Sequence, residues 1–276
     1  MSGLVESLHL VDAWPVPHVA VAVVAPDGLR AARGDTTRPF RVASVAKLLT
    51  AYATLVAVEE GTVTLEDAAG PPGATLAHLL AHASGYGFES DAAALARPGT
   101  RRIYSNRGIE EAAAHVASAA NMPFATYLGE AVLAPLGMHA TELRGSPAHG
   151  VWSTVDDLVR LLGELFAPRA LAPETVAEMR AVHFPGLPGV LPGIGRYDAL
   201  DWGLGFERNF AKPGHWAGAR VSAETYGHFG GAGAFVWVDP VANVGCVCLA
   251  DREFDEWALA AWPPFCDALI AEATSP

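Results

Sequence analysis

Lysine is almost absent from this chain: of its 18 basic side chains only Lys47 and Lys212 are lysines, the others being arginine. Arginine stays protonated in proteins, whereas a lysine amine can give up its proton when it is desolvated or placed near another cation. A lysine on an apolar stretch of such a chain is therefore a candidate for chemistry rather than a solvated charge. Positive charge is scarce altogether, with 30 acidic residues, a formal net charge of −12 and a pI near 5.2. Nucleic acids and anionic membrane surfaces need a clustered basic face, so neither is an expected partner. Long apolar runs are missing too. The densest, Val19 to Ala25, falls far short of the roughly 20 residues that span a bilayer and fits a buried strand. The first ten residues have no basic region and no apolar run of leader length, and they carry Glu6; the expected location is cytoplasmic.

Cysteine is equally sparse. The three thiols, Cys246, Cys248 and Cys266, are odd in number and lack metal-ligand spacing, as expected for free thiols in a reducing compartment. Cys246 and Cys248 stand two apart in a strand-like run, hence on one face, and read as small core residues. His78 and His82 lie four apart on a helical stretch, but no third ligand follows at metalloprotease spacing, so neither a metal nor a cofactor is called for.

What the chain does have is apolar bulk. With 276 residues, 51% apolar and 17% charged, it is expected to fold as one large domain, or a domain with a sizeable insertion, around a substantial core. Leu4, Leu8 and Val11 recur at helical spacing over residues 3–13. Residues 19–24 read as a strand, and Pro26-Asp27-Gly28 turns the chain into a second strand over 29–33. A long Ala- and Leu-rich helix over 45–60 is stopped by Gly61. Shorter helices follow over 76–82, 108–120 and 124–133, and a further one reaches Phe166 from an N-cap at Ser153 paired with Asp156. Residues 183–220 are rich in Pro and Gly and carry Trp202, Phe206, Phe210 and Trp216. Three strands over 221–229, 233–239 and 243–250 and a helix over 253–273 close the chain. The expected organisation of residues 1–276 is a single domain. A sheet lobe (1–43 and 221–276) takes strands from both ends, with a helical lobe (44–182) and a loop-rich segment (183–220) between them.

The candidate chemistry centres on Val42-Ala43-Ser44-Val45-Ala46-Lys47-Leu48-Leu49-Thr50. A helix sets residues i and i+3 on one face, which brings the Ser44 hydroxyl within reach of the Lys47 amine. That pair is a nucleophile beside a candidate base. Two further groups follow in order: Tyr104-Ser105-Asn106, 104 − 44 = 60 residues on, and Gly227-His228-Phe229-Gly230-Gly231-Ala232-Gly233.

Together these stretches resemble the three motifs of the serine β-lactamase and penicillin-binding-protein superfamily, in the Tyr-Ser-Asn form of class C β-lactamases, DD-peptidases and their esterase relatives. Leu79-Leu80-Ala81-His82-Ala83-Ser84-Gly85 resembles the family's His-x-Ser-Gly loop, Ala134-Pro135-Leu136-Gly137-Met138 its Pro-Leu-Gly-Met turn, and Trp152-Ser153-Thr154-Val155-Asp156-Asp157-Leu158 its Ser-Thr-x-x-Asp-Leu helix start. The resemblance spans about residues 18–270. It implies an α/β sandwich: an antiparallel sheet of about five strands, two N-terminal and three C-terminal, flanked by the terminal helices, with a mostly helical lobe inserted. It also implies an acyl-enzyme on Ser44, with proton handling shared by Lys47 and Tyr104, either of which serves as the base at this point. Asn106 would orient Lys47 and hold a substrate carbonyl. The N-H groups of Ser44 and Gly231 would form an oxyanion hole, and the missing side chains of Gly230 and Gly231 would let substrate lie close.

The chain departs from the β-lactamase pattern at the third motif. His228 and Phe229 stand where those enzymes commonly carry Lys and Thr or Ser, so recognition of a substrate carboxylate is expected to be weak. The short interval between Ser44 and Tyr104 predicts a trimmed, more open helical lobe. The expected substrate is a small-molecule ester or amide whose uncharged acyl group lies against Tyr86, Phe88, Trp152, Trp202 or Phe229. A β-lactamase or D-amino-acid-releasing peptidase, an acyltransferase and a non-catalytic binding protein on the same scaffold are the alternatives.

Overall fold

The structure is a computed structural model that describes residues 6–89, 93–209 and 212–275. A 3-10 helix (Ser7–Ala13) comes first, followed by β1 (Val19–Ala25), β2 (Gly28–Arg33) and β3 (Phe40–Arg41). The helical middle begins with a 3-10 turn (Ala43–Val45) and contains α1 (Ala46–Glu59), α2 (Leu76–Leu80), β4 (Arg102–Ile103), α3 (Asn106–Ala119), α4 (Phe124–Leu128), a π-helical turn (Gly129–Leu133) and α5 (Ala134–Leu136). It continues through β5 (Glu142–Leu143), β6 (Val151–Ser153), α6 (Val155–Phe166) and α7 (Pro173–Arg180). Then come β7 (Gly189–Leu191), β8 (Gly195–Tyr197), β9 (Glu207–Arg208), β10 (Tyr226–Gly230), β11 (Ala234–Asp239), β12 (Val244–Ala250) and α8 (Glu256–Ala273).

The main sheet is antiparallel with strand order β2-β1-β12-β11-β10-β9. Its central strands read as unbroken apolar runs because both faces are covered. Ala20, Ala22, Val236, Val247 and Leu249 face the core shared with α1 and α6. Val21, Val23, Phe235, Cys246 and Cys248 face α8, against Trp262, Phe265 and Cys266. The three cysteines are buried free thiols, and Cys246 and Cys248 share one face. No described helix is long and apolar enough to cross a membrane.

The sheet has six strands rather than five, because Glu207 and Arg208 within the loop-rich segment pair with Gly227 and Tyr226. The first C-terminal strand starts at Tyr226 rather than at 221, since Ser222 is drawn into a turn by Asp239, which accepts from both its N-H and its hydroxyl. The first described helix is 3-10, with Leu8 and Val11 buried; Leu4 and Phe210 lie outside the described residues. Thr154, not Ser153, caps α6, accepting from the Asp157 N-H at 3.2 Å. Ser153 is held in β6 opposite Phe40, and its hydroxyl is bonded to Thr141 instead.

Two features place the site. Helix α1 is apolar around most of its circumference, with no charged face to turn toward water, so it runs through the core and carries Lys47 with it. Arg102, 2% exposed, pins the loop-rich segment to the helical middle. Its guanidinium donates to the carbonyls of Leu200, His183 and Phe184, each at 2.8 Å, and to that of Ala81.

Candidate active site

Ser44 does not lie in the long helix but in the 3-10 turn before it, next to Ala43 at φ +44°. A non-glycine residue in the left-handed region costs roughly 1–2 kcal/mol and persists only where its surroundings impose it. Strand β10 packs directly against this turn. A Cβ on Gly230 would collide with the Val42 carbonyl oxygen and come 3.2 Å from the Ser44 nitrogen. The glycine is thus needed for β10 to approach the serine turn, which corrects the expectation that Gly230 makes room for substrate. Gly231 differs: a Cβ there meets nothing within 4 Å, and the residue borders the cavity above Ser44.

Lys47 is fully buried, and its amine lies 3.1 Å from Ser44 Oγ, 2.7 Å from Asn106 Oδ1 and 2.9 Å from the Ala148 carbonyl oxygen. Burial, which strips water from the ammonium, lowers its pKa from 10.5 to about 7, against the opposing pull of Glu110 and Glu89. Asn106 begins α3, whose N-cap Ser105 accepts from the Gly108 N-H at 3.0 Å. The buried His82 supports this turn. Its Nδ1 accepts from the Ser105 N-H at 3.2 Å, and its ring packs 4.6 Å from that of Tyr104. His82 lies beyond the end of α2 at φ +56°, so it does not share a helical face with His78, which binds the Thr75 N-H. Among the described residues no cluster of metal-ligating side chains occurs.

Tyr104 completes the arrangement, with its hydroxyl bonded to Ser44 and 3.3 Å from His228 Nε2. His228 Nδ1 sits 2.6 Å from the Phe229 carbonyl oxygen, which can only accept, so Nδ1 carries the proton and Nε2 is the bare nitrogen. Burial, together with the Lys47 charge, lowers the His228 pKa to about 3 and keeps the ring neutral. The Tyr104 hydroxyl therefore donates to His228, and its oxygen remains free to accept from Ser44. Burial likewise raises the Tyr104 pKa well above the ordinary phenol value.

Above these groups is a cavity of about 230 Å³ walled by Phe88, Tyr104, Trp202, His228, Phe229 and Phe254, with Leu191, Pro192 and Gly193 at one side. Tyr86 and Trp152 are placed elsewhere. Tyr86 is buried in the helical core under the Arg107 guanidinium. Trp152 alternates outward between the inward Val151 and Ser153 of β6 and stacks with Arg144 over a separate hollow. Sequence reasoning overlooked Phe254, Leu191 and Glu207. Glu207 does carry a signal, as the one charge closing the run Gly203-Leu204-Gly205-Phe206. Burial works against its charge, but Lys212 and His215 outweigh that and hold its carboxyl below the usual range. Lys212 and Trp216 donate to its two oxygens at 2.9 and 2.7 Å. The second lysine of the chain is thus a buried counter-ion.

Residues 10–264 match the Beta-lactamase family model. A crystal structure of a β-lactamase from Mycobacterium bovis is 49% identical, with 98% of this chain and 100% of that one covered and a TM-score of 0.95. Simvastatin synthase from Aspergillus terreus, in a mutant form, shares the fold at a TM-score of 0.78 and 18% identity over 98% of this chain and 94% of its own. No curated protein sequence matches the chain. On the family match and the 49% identity, the chain belongs to the β-lactamase family and is, in general terms, a serine hydrolase.

Proposed function

We propose that the protein hydrolyses small uncharged esters or amides through an acyl-enzyme on Ser44, with Lys47 as the acylation base. The hydrogen bonding of Lys47 carries the assignment of the base. A neutral amine has two N-H groups and one lone pair; the N-H groups are taken by Asn106 Oδ1 and the Ala148 carbonyl, so once the ammonium has lost its third proton the lone pair faces Ser44 Oγ, whose hydroxyl turns its hydrogen from Tyr104 to Lys47. The Ser44 proton passes to Lys47 as Oγ bonds to the substrate carbonyl carbon. The oxyanion is held by the N-H groups of Ser44 and Gly231. Collapse of this intermediate expels the alcohol or amine, which takes a proton from the Tyr104 hydroxyl; Tyr104 recovers one from the Lys47 ammonium. Water then attacks the acyl-enzyme by the same path in reverse. Tyr104 acts as a relay and not as the first base, because its pKa lies too high for it to be ionised near neutrality.

The preference for uncharged acyl groups rests on the cavity wall. None of the described residues lining it is Lys or Arg, and His228 is neutral. A substrate carboxylate would meet aromatic rings and Glu207 there, with no cation among the described lining residues to compensate its desolvation. The reading as a β-lactamase has one observation in its favour, the 49% identity to the Mycobacterium bovis protein. Turnover of p-nitrophenyl acetate and butyrate set against nitrocefin separates the two. The expected result is a kcat/KM for the esters roughly 100-fold above that for nitrocefin; efficient nitrocefin hydrolysis with no ester turnover would reverse the assignment.

A further inference from the structure

We propose that Glu89 is a positioning residue of this site: its carboxylate fixes the Asn106 side-chain amide in the orientation that turns the amide oxygen, rather than the nitrogen, toward Lys47. The proposal rests on the acyl-enzyme reading of Ser44.

The two ends of an Asn amide are nearly equal in size, so sterics scarcely distinguish an orientation from its flip, and the neighbours must decide. At Asn106 they are a donor on one side and an acceptor on the other. Lys47 Nζ lies 2.7 Å from Oδ1, and Nδ2 donates to Glu89 Oε1 at 2.9 Å. A flip would set N-H against N-H and oxygen against carboxylate, so both charge-assisted bonds would be lost together. The other carbonyl that holds Lys47 is braced in the same manner. Ser146 Oγ donates to Glu110 and accepts from the Ala148 N-H at 3.1 Å, which steadies the Ala148 carbonyl. Each acceptor on Lys47 is thus backed by a carboxylate that makes no hydrogen bond of its own to Lys47 or Ser44. Glu89 is the more telling of the two, because it is exposed.

The groups facing Lys47 are Ser44, the Tyr104 ring at 4.8 Å, the neutral His228 and His82, and the carboxylates of Glu89 and Glu110. Only the carboxylates carry charge, and both favour the ammonium. Removing Glu89 therefore makes the free amine available at lower pH.

The experiment is a pH profile of p-nitrophenyl butyrate hydrolysis for Glu89→Ala and Glu89→Gln, with Ser44 acylation followed by mass. Glu89→Ala is expected to lower kcat about tenfold with little change in KM, and to move the acidic limb of kcat/KM to lower pH. Glu89→Gln, which keeps an oxygen for Asn106 but no charge, should restore most of kcat while the limb stays displaced. A purely structural role would leave the limb in place. If the wild type acylates at Ser44 and either variant keeps the wild-type limb, or Glu89→Ala keeps the wild-type kcat, the assignment of Glu89 fails. A wild type that takes no acyl group at Ser44 overturns both the assignment and the reading beneath it.

Discussion

Lys47→Arg is expected to lower kcat/KM for an ester substrate by about 10³-fold, nearly as far as Lys47→Ala, because general-base catalysis is worth roughly 10²–10⁴-fold. The substitution keeps the positive charge, so an electrostatic role would survive it in part. A base would not, since arginine does not give up its proton. Burial in the wild type does the opposite, holding the Lys47 pKa at about 7. The companion expectation is a kcat/KM that rises with pH through about 7, as the ammonium that blocks attack becomes the amine that permits it. Steady-state kinetics of the two variants, with thermal melting to confirm that each is folded, supply the check. An arginine variant within tenfold of wild type would show that Lys47 stabilises charge and does not move protons.

The burial that makes Lys47 a base also makes it a burden on stability. In the unfolded chain the amine titrates at 10.5 and in the folded one at about 7, so between these values the unfolded state binds more protons and stability rises with pH. Below pH 7 both states are protonated and the folded protein bears the full cost of a buried cation. At about 1.4 kcal/mol per pH unit, that cost is roughly 5 kcal/mol at most. Lys47→Met fills the same space without a charge. The expected result is a variant more stable than wild type at pH 6, by less than that ceiling because Asn106 and Ala148 lose a donor. Its advantage should shrink by roughly 2–3 kcal/mol between pH 7 and pH 9. Denaturant unfolding at the three pH values measures it; an advantage independent of pH would mean that the amine is not buried as a titrating group.

The strands and the long helix were readable because their patterns are local. The run from Val19 to Ala25 announces a strand covered on both faces, and Gly61, at φ +71°, marks where the helix stops. The family and the order of Ser44, Tyr104 and His228 were legible for a similar reason, since each motif is short and contiguous. Features that depend on contacts far apart in the chain were not. Nothing in the residues around 207 says that they will pair with those around 227, or that Ser153 will be occupied by Thr141 and so leave the cap to Thr154. Trp152 is among the aromatic residues expected against the acyl group, but its direction is set by the alternation of β6, which puts Val151 and Ser153 inside. Phe254 borders the cavity with its N-H bonded back to the Gly231 carbonyl at 2.9 Å, a contact between residues 23 apart in the chain. The state of His228 was likewise out of reach of the sequence, since it depends on burial and on the Phe229 carbonyl beside Nδ1.

The most direct test of the central claim is the mass of the protein after brief exposure to a p-nitrophenyl ester or a fluorophosphonate, with the modified peptide mapped. The expected result is a single adduct on Ser44, formed slowly in Lys47→Arg and absent in Ser44→Ala. An adduct on another residue, or equal labelling of Ser44→Ala, would contradict it.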